Sequence, residues 1–219
     1  LVRLLGAVIF PLLTMLFVIF LIWYERKVYG RIQDRLGPNR VGPFGLFQPF
    51  ADMLKIFTKE YITPTGADKI PYNIAPILMV AMVLTMWAVI PVANRVYGVD
   101  LNVGLLYILA VGSLGSLGII LAGWSSNNKY ALFGAFRSIA LLISYEVPMV
   151  LSLLIVAILA RGMGINQIIA AQNVWFIVLV PVAALIFLIS SIAEIGRAPF
   201  DLAEAESEIV AGFNLEYSG

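Results

Sequence analysis

The residues of this sequence best suited to chemistry are carboxylates in places where water is scarce. Glu146 stands seven residues into the apolar run 139–160. A charge placed near mid-bilayer costs on the order of 2.5–3.5 kcal/mol by insertion scales, so such a residue must face protein or water. One reading is a proton site, because a desolvated carboxyl titrates within reach of physiological pH. The other is structural: Glu146 pairs with Arg137, or donates to the carbonyl that Pro148 frees in the preceding turn. A second group is denser. Glu194, Asp201, Glu204, Glu206, Glu208 and Glu216 are six of the 13 acids and fall within 194–216. Asp201 and Glu204 have capping-box spacing after Pro199, and Glu194 can pair with Arg197 at i,i+3. Local grammar does not explain Glu206 and Glu208. Carboxylates at spacing two cannot share one helical face, so Glu204 and Glu208 point one way and Glu206 another. Such a cluster binds cations or shares protons. The sequence has no Cys and no His, which removes disulfides, thiolate or imidazole metal ligation and the corresponding nucleophiles. Electrons, if any are handled, belong to a partner or a diffusible cofactor.

The elements that must hold these acids are membrane helices. Of 219 residues, 61% are hydrophobic and 12% charged, against about 45–50% and about 25% in an ordinary soluble domain. A soluble enzyme is excluded on that ground. Five stretches meet the length of about 20 apolar residues that a span requires: 4–24, 74–94, 103–123, 139–160 and 174–193. The predicted fold is a single all-α transmembrane domain over 1–219, with an acidic loop at 194–219. The first stretch is too long for a signal peptide and lacks a basic flank and cleavage site. Eight of the 14 basic residues lie in the first loop, 25–73, and Lys129, Arg137 and Arg197 fall on the same side. Only Arg3, Arg95 and Arg161 lie opposite, so the first loop is expected to face the cytoplasm or matrix. The run 103–123 reads as a packing helix, since Gly104, Gly112, Ser113, Gly115, Ser116 and Gly118 permit close backbone approach. No internal repeat supports an inverted-repeat carrier.

The first loop carries pattern of its own. Glu25-Arg26-Lys27 abuts the first span, and Gly37-Pro38-Asn39-Arg40-Val41-Gly42-Pro43 predicts a turn. A short amphipathic helix is expected over 49–60, with Pro49 in its first turn. Phe50, Met53, Leu54, Phe57 and Tyr61 fall on one face; Asp52, Lys55 and Lys59 fall opposite. Too short to span, this helix is expected to lie on the membrane surface. Contact of Lys55 and Lys59 with anionic lipid does not account for Glu25, Asp52 and Glu60.

Several of these motifs occur together in one family. Glu25-Arg26-Lys27-Val28-x-Gly30-Arg31-x-Gln33-x-Arg35-x-Gly37-Pro38-Asn39 is followed by Gly45-Leu46-x-Gln48-Pro49-x-Ala51-Asp52-x-x-Lys55-x-Phe57-x-Lys59-Glu60. Then come Gly123-Trp124-Ser125-Ser126-Asn127-Asn128-Lys129-Tyr130-Ala131-Leu132 and Ser144-Tyr145-Glu146-Val147. Ala193-Glu194-x-x-Arg197-x-Pro199-Phe200-Asp201-Leu202-Ala203-Glu204-x-Glu206-Ser207-Glu208 and Gly212-Phe213-Asn214-x-Glu216-Tyr217 complete the series. In content and order the sequence resembles the H-type membrane subunit of respiratory complex I, called subunit 1 in mitochondria.

The resemblance implies a multi-pass helical subunit of a bacterial cytoplasmic or mitochondrial inner membrane, within a proton-translocating NADH:quinone oxidoreductase. By motif position, Glu25, Arg26, Arg35, Phe57, Arg197 and Asp201 would line the quinone chamber or its mouth. Asp52, Glu146, Glu194, Glu204, Glu206 and Glu208 would form a carboxylate chain for protons. Ubiquinone or menaquinone would be the substrate, with no covalent cofactor, metal or iron–sulfur cluster in this chain. The implied partners are peripheral-arm subunits carrying the terminal iron–sulfur cluster, small and antiporter-like membrane subunits, and lipid, with no nucleic acid. The chain alone is not expected to be catalytic. Two departures stand out: Leu141 follows Arg137-Ser138-Ile139-Ala140 where the family usually has Gln, and the family has about eight spans against five here. With Leu1 in place of Met, the expectation is a chain recorded in part. The equivalent subunit of a membrane-bound hydrogenase and a stand-alone proton or cation channel are the alternatives.

Overall fold

Backbone groups that meet no water must bond within their own segment, and an α-helix does this at every residue. The computed structural model describes residues 2–91, 93, 97–196, 199–200, 210 and 212–217, and these are organised as helices joined by turns. They fall into two compact units, one up to Ile62 and one over Thr63–Tyr217.

In the N-terminal unit, α1 (Val2–Ile32) contains the predicted span 4–24 and carries on through Glu25-Arg26-Lys27. It stops before the Gly-Pro turn, where Asp34 takes a left-handed φ of 52°. A 3-10 turn at Pro43–Gly45 precedes α2 (Gln48–Thr58), which begins with Pro49 in its first turn as expected.

The second unit holds α3 (Lys69–Met86), α4 (Gly104–Ser113), α5 (Gly115–Ser125), α6 (Lys129–Ala160), α7 (Ile165–Ala170), α8 (Phe176–Leu179), α9 (Pro181–Glu194) and a 3-10 turn at Gly212–Asn214. Among the described residues, three helices are long and apolar enough to cross a bilayer: Lys69–Met86, Gly104–Ser125 (α4 and α5, meeting at Leu114) and Lys129–Ala160. The boundaries differ from the hydropathy reading for identifiable reasons. Helix α6 starts ten residues before the predicted span, because Asn128 caps it by accepting from the Tyr130 N–H at 2.9 Å. It continues through Pro148. The predicted run 174–193 divides at Val180, whose φ of −130° and ψ of 68° are not helical and which precedes Pro181. A residue before proline is pushed out of the helical region. Helix α9 therefore has 14 residues.

Helices α3, α5, α6 and α9 pack in that order, with α5 between α3 and α6. Ile119, Ala135 and Ile139 form a core, with Met79, Ile120, Leu142 and Phe213 against it. Alanines and Ser125, Ser126, Ser138, Ser152 and Ser190 are buried, while Phe133, Phe136, Leu151, Ile158, Leu185 and Leu188 point outward. Four of these buried hydroxyls, those of Ser125, Ser126, Ser138 and Ser152, turn back on the preceding turn of helix, Ser126 to the Ala122 carbonyl at 2.7 Å and Ser138 to that of Gly134 at 2.9 Å. Small residues inside and large apolar ones outside suit a bundle in lipid, where packing replaces the hydrophobic effect as the driving force.

Of the glycines predicted to permit close approach, Gly118 does so most closely, a Cβ on Gly104 or Gly112 would have a neighbour at 3.2 or 3.3 Å, and Gly115 has nothing within 4 Å. The tightest approach in 103–123 is at Gly123, which is not among them. A Cβ on Gly123 would stand 2.4 Å from Ala135 Cβ and 2.9 Å from the Ala131 carbonyl oxygen. One on Gly118 would meet Met79 Cγ at 2.7 Å, and a methionine can shift. Gly123→Ala is therefore expected to lower stability by about 1–3 kcal/mol through overpacking, and Gly118→Ala by less. Thermal unfolding of the two variants in detergent checks the order; equal losses would contradict it.

Candidate functional site

Arg26 lies on the last turns of α1, and its Nη1 donates to Asp52 Oδ2 of α2. Gln48, one turn earlier on α2, donates from Nε2 to Asp52 Oδ1 at 3.1 Å. Both carboxylate oxygens of Asp52 are thereby engaged. The loop after α1 folds back on that helix: a Cβ on buried Gly30 would lie 2.8 Å from the Gly37 nitrogen. Between loop and helices is a cleft of about 700 Å³, whose lining includes Arg26, Tyr29, Arg35, Arg40 and Gln48. Arg35 also donates from Nε to Gln33 Oε1 at 2.7 Å. The arrangement is a polar, cation-rich cleft suited to the oxygen atoms of an electron-rich headgroup or an anion. Of the residues predicted for quinone, Arg26 and Arg35 share this cleft. Glu25 and Phe57 are not part of its lining, and Phe57 is 76% exposed. Asp52, predicted for proton relay, is the partner of Arg26.

The second constellation is in the other unit. Glu194 ends α9, which packs along α6, and it is within electrostatic reach of Glu146 on α6. Glu194 Oε2 is buried with no hydrogen-bond partner among the described residues. Arg197, Asp201, Glu204, Glu206 and Glu208 lie outside the described residues. Phe200, just before Asp201, meets Tyr145 edge-on at 5.5 Å between ring centroids, next to Glu146. No group of three or more Asp or Glu side chains suited to a metal ion occurs among the described residues.

Two residues escaped the sequence reading. Gln48 had a signal, since Gln and Asp four apart on a helix form a stabilising hydrogen-bonded pair. Glu216 was grouped with the acidic cluster, yet its Oε1 accepts from Asn128 Nδ2 at 2.7 Å. That partner is 88 residues away, beyond any local pattern.

The sequence model described as NADH dehydrogenase matches residues 5–219. The chain belongs to the NADH dehydrogenase family. Among curated relatives, the H subunit of NADH-quinone oxidoreductase from Dehalococcoides mccartyi (strain CBDB1) is 54% identical over 202 residues, covering 92% of this chain and 57% of the relative. Its counterpart from Vesicomyosocius okutanii (subsp. Calyptogena okutanii, strain HA) is 50% identical over 218 residues, 97% of this chain and 60% of the relative. The one from Rickettsia bellii (strain OSU 85-389) is 50% identical over 215 residues, 97% and 63%. The chain thus spans about three fifths of the length of these relatives. The resemblance read from the motifs holds at family level, and three apolar helices of spanning length agree with a membrane protein.

In this member of the NADH dehydrogenase family, the Arg26–Asp52 pair has a definite pH signature. Hydrogen bonds from Arg26 and then Gln48 hold the Asp52 carboxyl below its ordinary value of 3.8. A depressed carboxyl contributes stability that is fully present above the unfolded value and lost as pH falls through the folded one. The side chains are 47% and 35% exposed, so the contribution is small, about 0–1 kcal/mol. The stability difference between wild type and Arg26→Gln should therefore be constant from about pH 5 to 8 and vanish only below about pH 3.8. Thermal melts across that range measure it, and a difference that disappears near pH 6 would exclude this pair as its source.

Proposed function

We propose that this chain is the quinone-binding membrane subunit of a complex I type NAD(P)H- or ferredoxin:quinone oxidoreductase, a proton-translocating enzyme. In this reading the chain forms one membrane domain of five spans, α1 and α9 included. The first loop faces the cytoplasm or matrix, and α2 lies on the membrane surface. The cation-rich cleft at Arg26 and Arg35 belongs to the mouth of the quinone chamber; Glu25, Phe57, Arg197 and Asp201 are the further residues that motif position assigns to that chamber. Peripheral-arm partners complete that chamber and supply electrons from their terminal iron–sulfur cluster; small and antiporter-like subunits adjoin on the membrane side.

One observation supports the coupling: the buried, unpartnered Oε2 of Glu194 on a helix packed against the one that carries Glu146. Quinone reduced by two electrons takes up two protons to become quinol. The change of charge in the chamber alters the protonation of Glu204, Glu206 and Glu208, and through them that of Glu194 and Glu146. Low dielectric makes each charge felt strongly by the next. Asp52, tied to Arg26, is the further member that motif position assigns to the carboxylate chain.

Glutamine at either position keeps the shape and removes the titratable proton. In the assembled enzyme, Glu194→Gln and Glu146→Gln are expected to lower quinone-driven proton translocation by roughly tenfold, equivalent to about 1.4 kcal/mol. Quinone reduction and proton movement are measured together in proteoliposomes. Unchanged rates of both in both variants would sink the relay.

A further inference from the structure

Residues 212–217 lie against the bundle, held there by contacts from three helices. Phe213 packs on the core of Ile119, Ala135 and Ile139. Gly212 lies so close to α6 that a Cβ on Gly134 would stand 2.6 Å from its Cα. The rings of Tyr72, on α3, and Tyr217 stack with centroids 4.3 Å apart and planes 1° from parallel. The two are also cross-bonded: Tyr217 donates its hydroxyl to the Tyr72 carbonyl at 3.0 Å, and Tyr72 donates to the Glu216 carbonyl at 2.8 Å. Asn128 adds the fourth tie. Its Nδ2 donates to Glu216 Oε1 at 2.7 Å while its Oδ1 caps α6. Tyr72 is 1% exposed, so its hydrogen bonds are costly to leave unmade.

Covering the core needs only Phe213. Three directional bonds and a parallel stack do something more: they fix where the segment sits. Its counterpart at the near end is Phe200 against Tyr145, so the flanks of residues 201–209 are tied to α6 on both sides. We infer that Tyr72, Asn128, Glu216 and Tyr217 are positioning residues that fix residues 212–217, the segment following the acid-bearing stretch in the sequence, on the bundle. They govern turnover without touching quinone or relaying a proton. The inference rests on the proton-coupling reading of that stretch.

Four variants in the assembled, purified complex test it. Asn128→Ser keeps a capping oxygen but loses the amide donor. Tyr217→Phe keeps the stack and loses the hydroxyl. Glu216→Ala deletes the acceptor, and Glu216→Gln retains it. The readouts are amide hydrogen exchange over 212–217 and steady-state kcat and KM for quinone, per assembled enzyme. Asn128→Ser, Tyr217→Phe and Glu216→Ala should each raise exchange about tenfold, as loss of one hydrogen bond does. The same three should lower kcat at least about threefold and leave KM within about twofold, the pattern of an interaction that acts in turnover and not in binding. Glu216→Gln should restore both. Unchanged exchange in all three, raised exchange with unchanged kcat, or a Glu216→Gln variant as impaired as Glu216→Ala would overturn the positioning role. Glu194→Gln assayed alongside separates the two failures, because only its silence counts against the relay itself.

Discussion

The contact between α5 and α6 at Gly123 and Ala135 is the constraint on which the larger unit depends. With no water to squeeze out, helices in lipid hold together through close packing and through polar groups already satisfied at home. The absence of a side chain at Gly123 brings α5 onto α6. The core of Ile119, Ala135 and Ile139 forms beside that contact, and Phe213 closes over it. Several polar groups of this unit are then hung on α6: Glu146 and Tyr145 along it, Asn128 and Lys129 at its start, α9 with Glu194 alongside.

The two constellations differ in kind. Arg26, Asp52 and Gln48 form a partly exposed network in which opposite charges meet, so its electrostatics are mild and its role is to shape a cleft. Glu146 and Glu194 are the reverse case, like charges near one another with a buried oxygen left over. A buried carboxylate oxygen is costly to leave unpartnered, so the second arrangement is not one that packing alone would select.

How much of this was legible in the sequence depended on distance along the chain. Pro49 announced the start of α2, and the glycines of 103–123 announced a packing helix; both signals act within a few residues. Val180-Pro181 carried a break that a hydropathy window averages away, because both residues are apolar and only the backbone geometry objects. The start of α6 was hidden likewise, as the polar residues Asn128 and Lys129 lower hydropathy where Asn128 caps the helix. Arg26 and Arg35 were chosen on family resemblance, and the cleft they share comes from a loop folding back through Gly30 and Gly37. The Tyr72–Tyr217 pairing joins residues 145 apart, and no local pattern encodes it.

The shortness of α9 has a consequence for the membrane itself. Fourteen residues rise about 21 Å at 1.5 Å each, against a hydrocarbon thickness of about 30 Å. A helix that short cannot place both ends at bilayer surfaces unless the lipid thins around it. Helix α9 is shorter than that thickness by about a third, so by length it stands apart from the three described helices able to span, and Glu194 closes an element that does not cross a bilayer unaided.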